Sequence, residues 1–243
     1  MTLDQSRNHI GTKDEHMSRS SVIKARFSGG LADLPGAVRV PLGPTPADAC
    51  LGGGIRLAAL HEVFPAASGE GGTASGFALA LAARVLGPRK WFIWVRQDFS
   101  ALENGELHAP GLLEIGVDPR RMLMVRASDV MGVLRAGAEA LACKGMGAVI
   151  IEVWGKAKVF DLVASRRLAL AAAEHGVTAI VLRFGAAPEP SAAETRWIVN
   201  ATASSRNAED WGTPIFDAAL VRHRHGACGR WVMEWDRDNG IFK

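Results

Sequence analysis

Between residues 57 and 182, short apolar runs alternate with stretches whose apolar residues recur every three or four positions. Residues 57–64, 91–95, 122–125, 148–153 and 177–182 have the length and composition of buried strands; the fourth is apolar except for Glu152 and is bounded by Gly147 and Gly155. Phe77, Leu81 and Val85 within residues 74–86 keep helical spacing, as do Val130, Leu134, Ala138 and Leu141 up to Cys143. Val159, Leu162, Val163 and Leu170 repeat it within residues 159–174, with Arg166 interrupting the stripe. Strands that are apolar throughout need cover on both faces, and helices between them supply it through right-handed crossovers. The expected class is α/β with a mostly parallel sheet. Past Pro188 and Pro190 the pattern changes: residues 195–201, 215–221 and 230–235 are extended candidates with no helix between them, which predicts an antiparallel C-terminal extension of the same sheet. No internal repeat or linker divides the chain, so one domain is expected over residues 28–243, preceded by a disordered tail at 1–27 that is polar and mixed in charge.

With 243 residues, 48% of them hydrophobic, the chain can bury a full-sized core. The net charge of +3 is not concentrated in any long run of like charge, so composition does not select a nucleic acid as partner. Cys50, Cys143 and Cys228 are odd in number, far apart and without a CxxC pair, which fits neither a disulfide scaffold nor a zinc site and points to a reducing cytoplasm. Residues 1–27 lack the apolar segment of an export signal, and no run elsewhere is long enough to cross a bilayer.

The segment after the first long strand, Gly69-Glu70-Gly71-Gly72-Thr73-Ala74-Ser75-Gly76, lies where a phosphate-binding loop would be. Such a loop needs backbone N–H groups at a helix N-terminus, a lysine for the terminal phosphates and a hydroxyl for magnesium. Starting the motif at Gly69 puts Ser75 at the lysine and Gly76 at the hydroxyl; starting it at Gly71 puts Phe77 and Ala78 there. No lysine occurs between Lys24 and Lys90. A triphosphate would lose a charge-assisted contact worth roughly 1.5–3 kcal/mol, and charge in the transition state would go unneutralised. ATP hydrolysis is not expected, and no cofactor is required. The glycines then read either as the tight turn of a βα unit or as a remnant that still binds nucleotide. Glu152 holds the Walker B place, where an aspartate would be expected; without a hydroxyl at the magnesium position of the loop it reads as an ion-paired carboxylate before it reads as a metal ligand.

Pro41-Leu42-Gly43, Asp48, Leu51-Gly52-Gly53-Gly54, His61-Glu62-Val63-Phe64 and the glycine loop resemble the opening of a RecA or RadA core. Further stretches sharpen the likeness: Trp94-Val95-Arg96-Gln97-Asp98 through Glu106-Leu107, Pro110-Gly111-Leu112 and Gly116-Val117-Asp118-Pro119, then Gly229-Arg230-Trp231 with Glu234-Trp235-Asp236. Together they resemble the ImuA family, RecA-like accessory proteins of the bacterial inducible-mutagenesis cassette, over roughly residues 37–235. The resemblance implies a RecA-like core and a non-catalytic role in translesion synthesis during the DNA-damage (SOS) response, in the cytoplasm at the nucleoid. The implied partners are an ImuB-like relative of Y-family polymerases, an error-prone polymerase subunit and RecA. The sequence departs from RecA itself: the catalytic glutamate falls near Arg96 or Gln97, neither able to act as a carboxylate base. The stretches where recombinase DNA loops would lie, residues 154–158 and 183–194, are short, with only Lys156, Lys158 and Arg183 basic. Two alternatives stand beside this reading: a SulA-like cell-division inhibitor, and an ATP-dependent RecA- or RadA-type recombinase.

Two surfaces are candidates for contact. Arg222-His223-Arg224-His225 reads as a polar turn before the last strand; it is either a solvated loop or a weak, sequence-independent and salt-sensitive DNA contact through Arg222 and Arg224. Strand alternation in residues 230–236 puts Trp231, Met233 and Trp235 on one face, which either closes the core or meets a partner through Trp231 and Trp235.

Overall fold

The computed structural model describes residues 37–87, 91–204 and 212–243; the expected tail at 1–27 and the first residues of the expected domain, 28–36, lie outside them. A short ribbon opens the described chain, β1 (Arg39–Val40) pairing antiparallel with β2 (Ile55–Arg56) around helix α1 (Thr45–Cys50). The Asp48 carboxylate accepts hydrogen bonds from Leu42 N (2.6 Å) and Gly43 N (3.0 Å), closing the turn into α1.

The main sheet then alternates with helices: β3 (Leu60–Pro65), α2 (Gly71–Val85), β4 (Trp91–Gln97), α3 (Asp98–Asn104), α4 (Ala109–Glu114), β5 (Met122–Ala127), α5 (Val130–Ala142), β6 (Met146–Trp154), α6 (Leu162–His175) and β7 (Thr178–Phe184). Strands β8 (Thr195–Ala201), β9 (Ile215–His223), β10 (Gly229–Asp236) and β11 (Ile241–Phe242) complete it. The nine-stranded order is β11-β10-β9-β8-β3-β7-β6-β4-β5. It is parallel from β8 to β5 and antiparallel from β8 to β11, which is the expected RecA-like core with its antiparallel extension. Residues 38–243 group as one compact unit.

Side-chain parity divides the core into two layers. Phe92 and Trp94 of β4, Ala148 and Ile150 of β6, and Ile180 and Leu182 of β7 face α2. Their neighbours Ile93, Val95, Val149, Ile151, Ala179 and Val181 face α5 and α6. This is the double burial that continuous apolar strands require.

Most strand ends shift by one or two residues from the sequence expectation, and three element starts shift by three, each for a local reason. Ala58 takes a left-handed conformation (φ 53°), so the run expected from residue 57 becomes a strand only at Leu60. Helix α2 starts at Gly71 rather than at residue 74, because a 3-10 turn at Ser68–Glu70 leads directly into it. Helix α6 starts at Leu162 rather than at residue 159: Asp161 caps it, its side chain accepting from Ala164 N at 2.8 Å.

Candidate functional site

The loop between β3 and α2 comprises residues 66–70 only, and Gly69 lies in its 3-10 turn. Gly71 and Gly72 belong to the first turn of α2, and Ser75 and Gly76 follow inside the helix. At Gly71 an added Cβ would lie 2.5 Å from Asn104 Oδ1, so the residue is a glycine where the end of α3 crosses the helix start. The register starting at Gly71 fails in three dimensions too: Phe77 and Ala78 are fully buried, and Phe77 packs at 5.5 Å on Trp197, Phe216 and Phe242.

A carboxylate stands beside the helix start. Glu70 Oε2 accepts from Thr73 Oγ1 (2.7 Å) and from Ala201 N of β8 (3.0 Å). The positive end of the helix dipole is therefore flanked by the protein's own anion. Glu70 is not singled out by the sequence, where the glycines around it dominate the motif; its place beside the helix start comes from its bond to Ala201 N of β8, 131 positions away.

Across the loop, β4 and β6 pair in parallel with Arg96 opposite Glu152. Both face α2 and both are buried, with side chains 2% and 1% exposed. Arg96 Nη2 donates to Glu152 Oε1 at 3.1 Å, Trp94 Nε1 donates to Glu152 Oε2 at 2.7 Å, and Arg96 Nη1 donates to Gly105 O at 3.1 Å. Burial pushes the Glu152 carboxyl above its ordinary pKa, opposed by the Arg96 charge and the Trp94 N–H. Gly72, Ser75 and Gly76 share a cavity of about 250 Å³ with Trp94, Arg96 and Glu152. The structure thus gathers the helix part of the vestigial loop, the Walker B position and the catalytic-base position in one place. The charges there are already spent on each other, and a guanidinium cannot take up a proton. Among the described residues no group of three or more His, Cys, Asp or Glu is placed to hold a metal ion.

The other candidates lie elsewhere. Arg222 is not in a turn but in β9, paired with Arg196 of β8, and its Nη1 donates to Ser191 O at 2.8 Å. Burial lowers its pKa, first of the causes acting on it. His223 also belongs to β9, its side chain 3% exposed and 4.0 Å from Glu194, while Arg224 follows the strand with its backbone N donating to Glu194 O. Of the expected polar turn, Arg222 and His223 instead end β9, while Arg224 and His225 form the turn that follows it. Trp235 is fully buried, its Nε1 donating to Ile115 O at 3.1 Å and its ring 4.9 Å from Phe242. Trp231 packs on the same core, its ring 6.2 Å from Trp197. At Trp235 the structure selects core, and a partner surface there is corrected accordingly; Trp231 is half-buried against that core, and Val232 is 63% exposed.

Among the described residues no helix is long and apolar enough to cross a membrane. No family model matches the chain. Two curated relatives do: Protein ImuA of Caulobacter vibrioides strain NA1000 / CB15N and Protein ImuA of strain ATCC 19089 / CIP 103742 / CB 15, each 32% identical, with the match covering 77% of this chain and 79% of the relative. With that identity and coverage added to the RecA-like sheet, the chain belongs to the ImuA family.

Proposed function

We propose that this chain is a non-catalytic member of a DNA-damage-induced translesion-synthesis assembly, acting through contacts with an ImuB-like relative of Y-family polymerases, an error-prone polymerase subunit and RecA. The observation that carries the reading is the buried pair of Arg96 and Glu152, which occupies the two carboxylate positions that nucleotide hydrolysis would use with an internal ion pair. Support comes also from Ser75 at the lysine position, from Glu70 beside the helix start, and from membership of the ImuA family. A cleft that lacks the phosphate-loop lysine and whose Walker B carboxylate is held in a buried ion pair supports action through the protein's surface.

The test uses the purified full chain. No ATP hydrolysis above blank is expected, with or without single-stranded DNA, together with a stable complex with the ImuB-like protein by size-exclusion chromatography. Turnover at a stoichiometric rate that is lost in a Gly72→Leu protein of wild-type melting temperature rejects the non-catalytic reading; Gly72 has nothing within 4 Å of an added Cβ, so the side chain starts in open space. Failure to form the complex rejects the partner.

A further inference from the structure

We infer that the groove between α5 and α6 is a docking site for an acidic amphipathic helix of a partner protein. The inference rests on the reading that the chain acts through protein contacts. The groove lies on the sheet face opposite α2 and has a volume of about 530 Å³. Its floor is formed by Leu134 and Leu168, 8% and 2% exposed, which belong to the core beneath. The small side chains of Ala138 and Ala164 line it, leaving unfilled the space that longer side chains would occupy.

The rim is apolar where a solvated helix pair would be polar. Met131, Val159 and Val163 are 41%, 43% and 56% exposed, and they converge on one concave surface. Isolated exposed apolar residues need no explanation, but a contiguous patch around a groove marks an interaction site. Both helices are crossover helices between parallel strands, so they run side by side, and a groove of this kind accepts an amphipathic helix through anchors at i, i+3 or i+4, and i+7.

Charge selects the sign of the occupant. Arg135 and Arg167 line the groove, are exposed, and make no ion pair among the described residues. Arg120, Arg126 and Arg230 are satisfied internally by Asp118, Glu106 and Asp217, whereas Arg166 and Arg237, like the groove pair, are exposed with no ion pair among the described residues. The one acid lining the groove, Asp161, is committed to the cap of α6. Apolar anchors flanked by carboxylates therefore complement the groove, and flanking lysines are repelled.

The probe is a fluorescein-labelled peptide of about 16 residues, long enough to hold a helix, with a leucine stripe flanked by glutamates. A second peptide carries lysine for each glutamate. Saturable anisotropy is expected for the glutamate peptide, at least about tenfold tighter than for the lysine peptide. Val163→Asp should abolish it, and Arg135→Glu with Arg167→Glu should reverse the preference. Equal binding of the two peptides overturns the inference, as does unchanged binding by variants that keep the wild-type melting temperature. If Val163→Asp lowers that temperature, the exposed arginine pair decides alone. Applied to the ImuB-like protein, the same variants separate the two claims. A complex that neither change weakens overturns the groove and leaves the proposed function standing; the peptide preference without any complex keeps the groove and overturns the partner.

Discussion

His61, within β3, uses both ring nitrogens. Nε2 lies 2.8 Å from Arg56 O, which can only accept, so Nε2 carries the proton; Nδ1, 2.7 Å from Thr195 Oγ1, then accepts from that hydroxyl, which itself accepts from Trp197 Nε1 at 3.0 Å. The network fits the neutral ring, and burial lowers the His61 pKa from 6.5 to about 4. In the window between those values the unfolded chain binds a proton that the folded one refuses, so this contribution is whole above pH 6.5 and is lost as pH falls toward 4. The loss is on the order of 3 kcal/mol. Urea midpoints should fall between pH 7 and pH 4.5, and His61→Gln should flatten that slope without removing it, because burial also lowers the pKa of His223. A slope unchanged by the substitution would refute the assignment. The pair of Arg96 and Glu152 makes a second residue-scale prediction. Glu152→Gln leaves the buried guanidinium with only the exposed Glu106 carboxylate, 3.6 Å away, and should cost about 3 kcal/mol, whereas Arg96→Met with Glu152→Leu should cost less. A double-mutant cycle by denaturant titration reads the difference.

Strands β9 and β10 show how one element can carry a motif that looks functional and is structural. The Trp231, Met233 and Trp235 face closes the α2 side of the core, so Trp235→Ala removes a buried indole and orphans Ile115 O. It should cost about 3–5 kcal/mol, and any loss of partner binding should follow the loss of folding rather than precede it. A Trp235→Ala protein with wild-type melting temperature would reverse this conclusion. On β9 the Arg222 guanidinium is tied to Ser191 O, so changing Arg222 and Arg224 to Ala should leave the salt dependence of single-stranded DNA binding unchanged. A slope that becomes shallower in that variant would restore the cluster as a phosphate contact. The helix start of α2 is likewise an element-scale matter: three glycines in four residues suggested a longer loop, but none of Gly69, Gly71 and Gly72 has a positive φ, and Gly71 is a glycine because of Asn104.

At the scale of the whole molecule, the cleft is built from α2, β4, β6 and the segment from the end of α3 through α4, so repairing one element does not repair the site. Ser75→Lys with Gly76→Thr should fold, since an added Cβ at Gly76 meets the Phe216 ring at an ordinary 3.6 Å, but it should not hydrolyse ATP. Turnover by that double variant would refute the claim. The α/β alternation, the antiparallel ending and the missing lysine were legible in the chain, because strand and helix periodicity and loop chemistry are local properties. What lay beyond reach was pairing. Arg96 and Glu152 are 56 positions apart, as Cys50 Sγ and Ala227 O, 3.0 Å from each other, are 177 apart. The sequence by itself determined the order of elements and which faces are apolar. The tertiary structure alone decided that Glu152 is neutralised, that Arg222 is folded back and that Trp235 is core, because strand register and sheet order place side chains opposite one another across distances that no local pattern encodes.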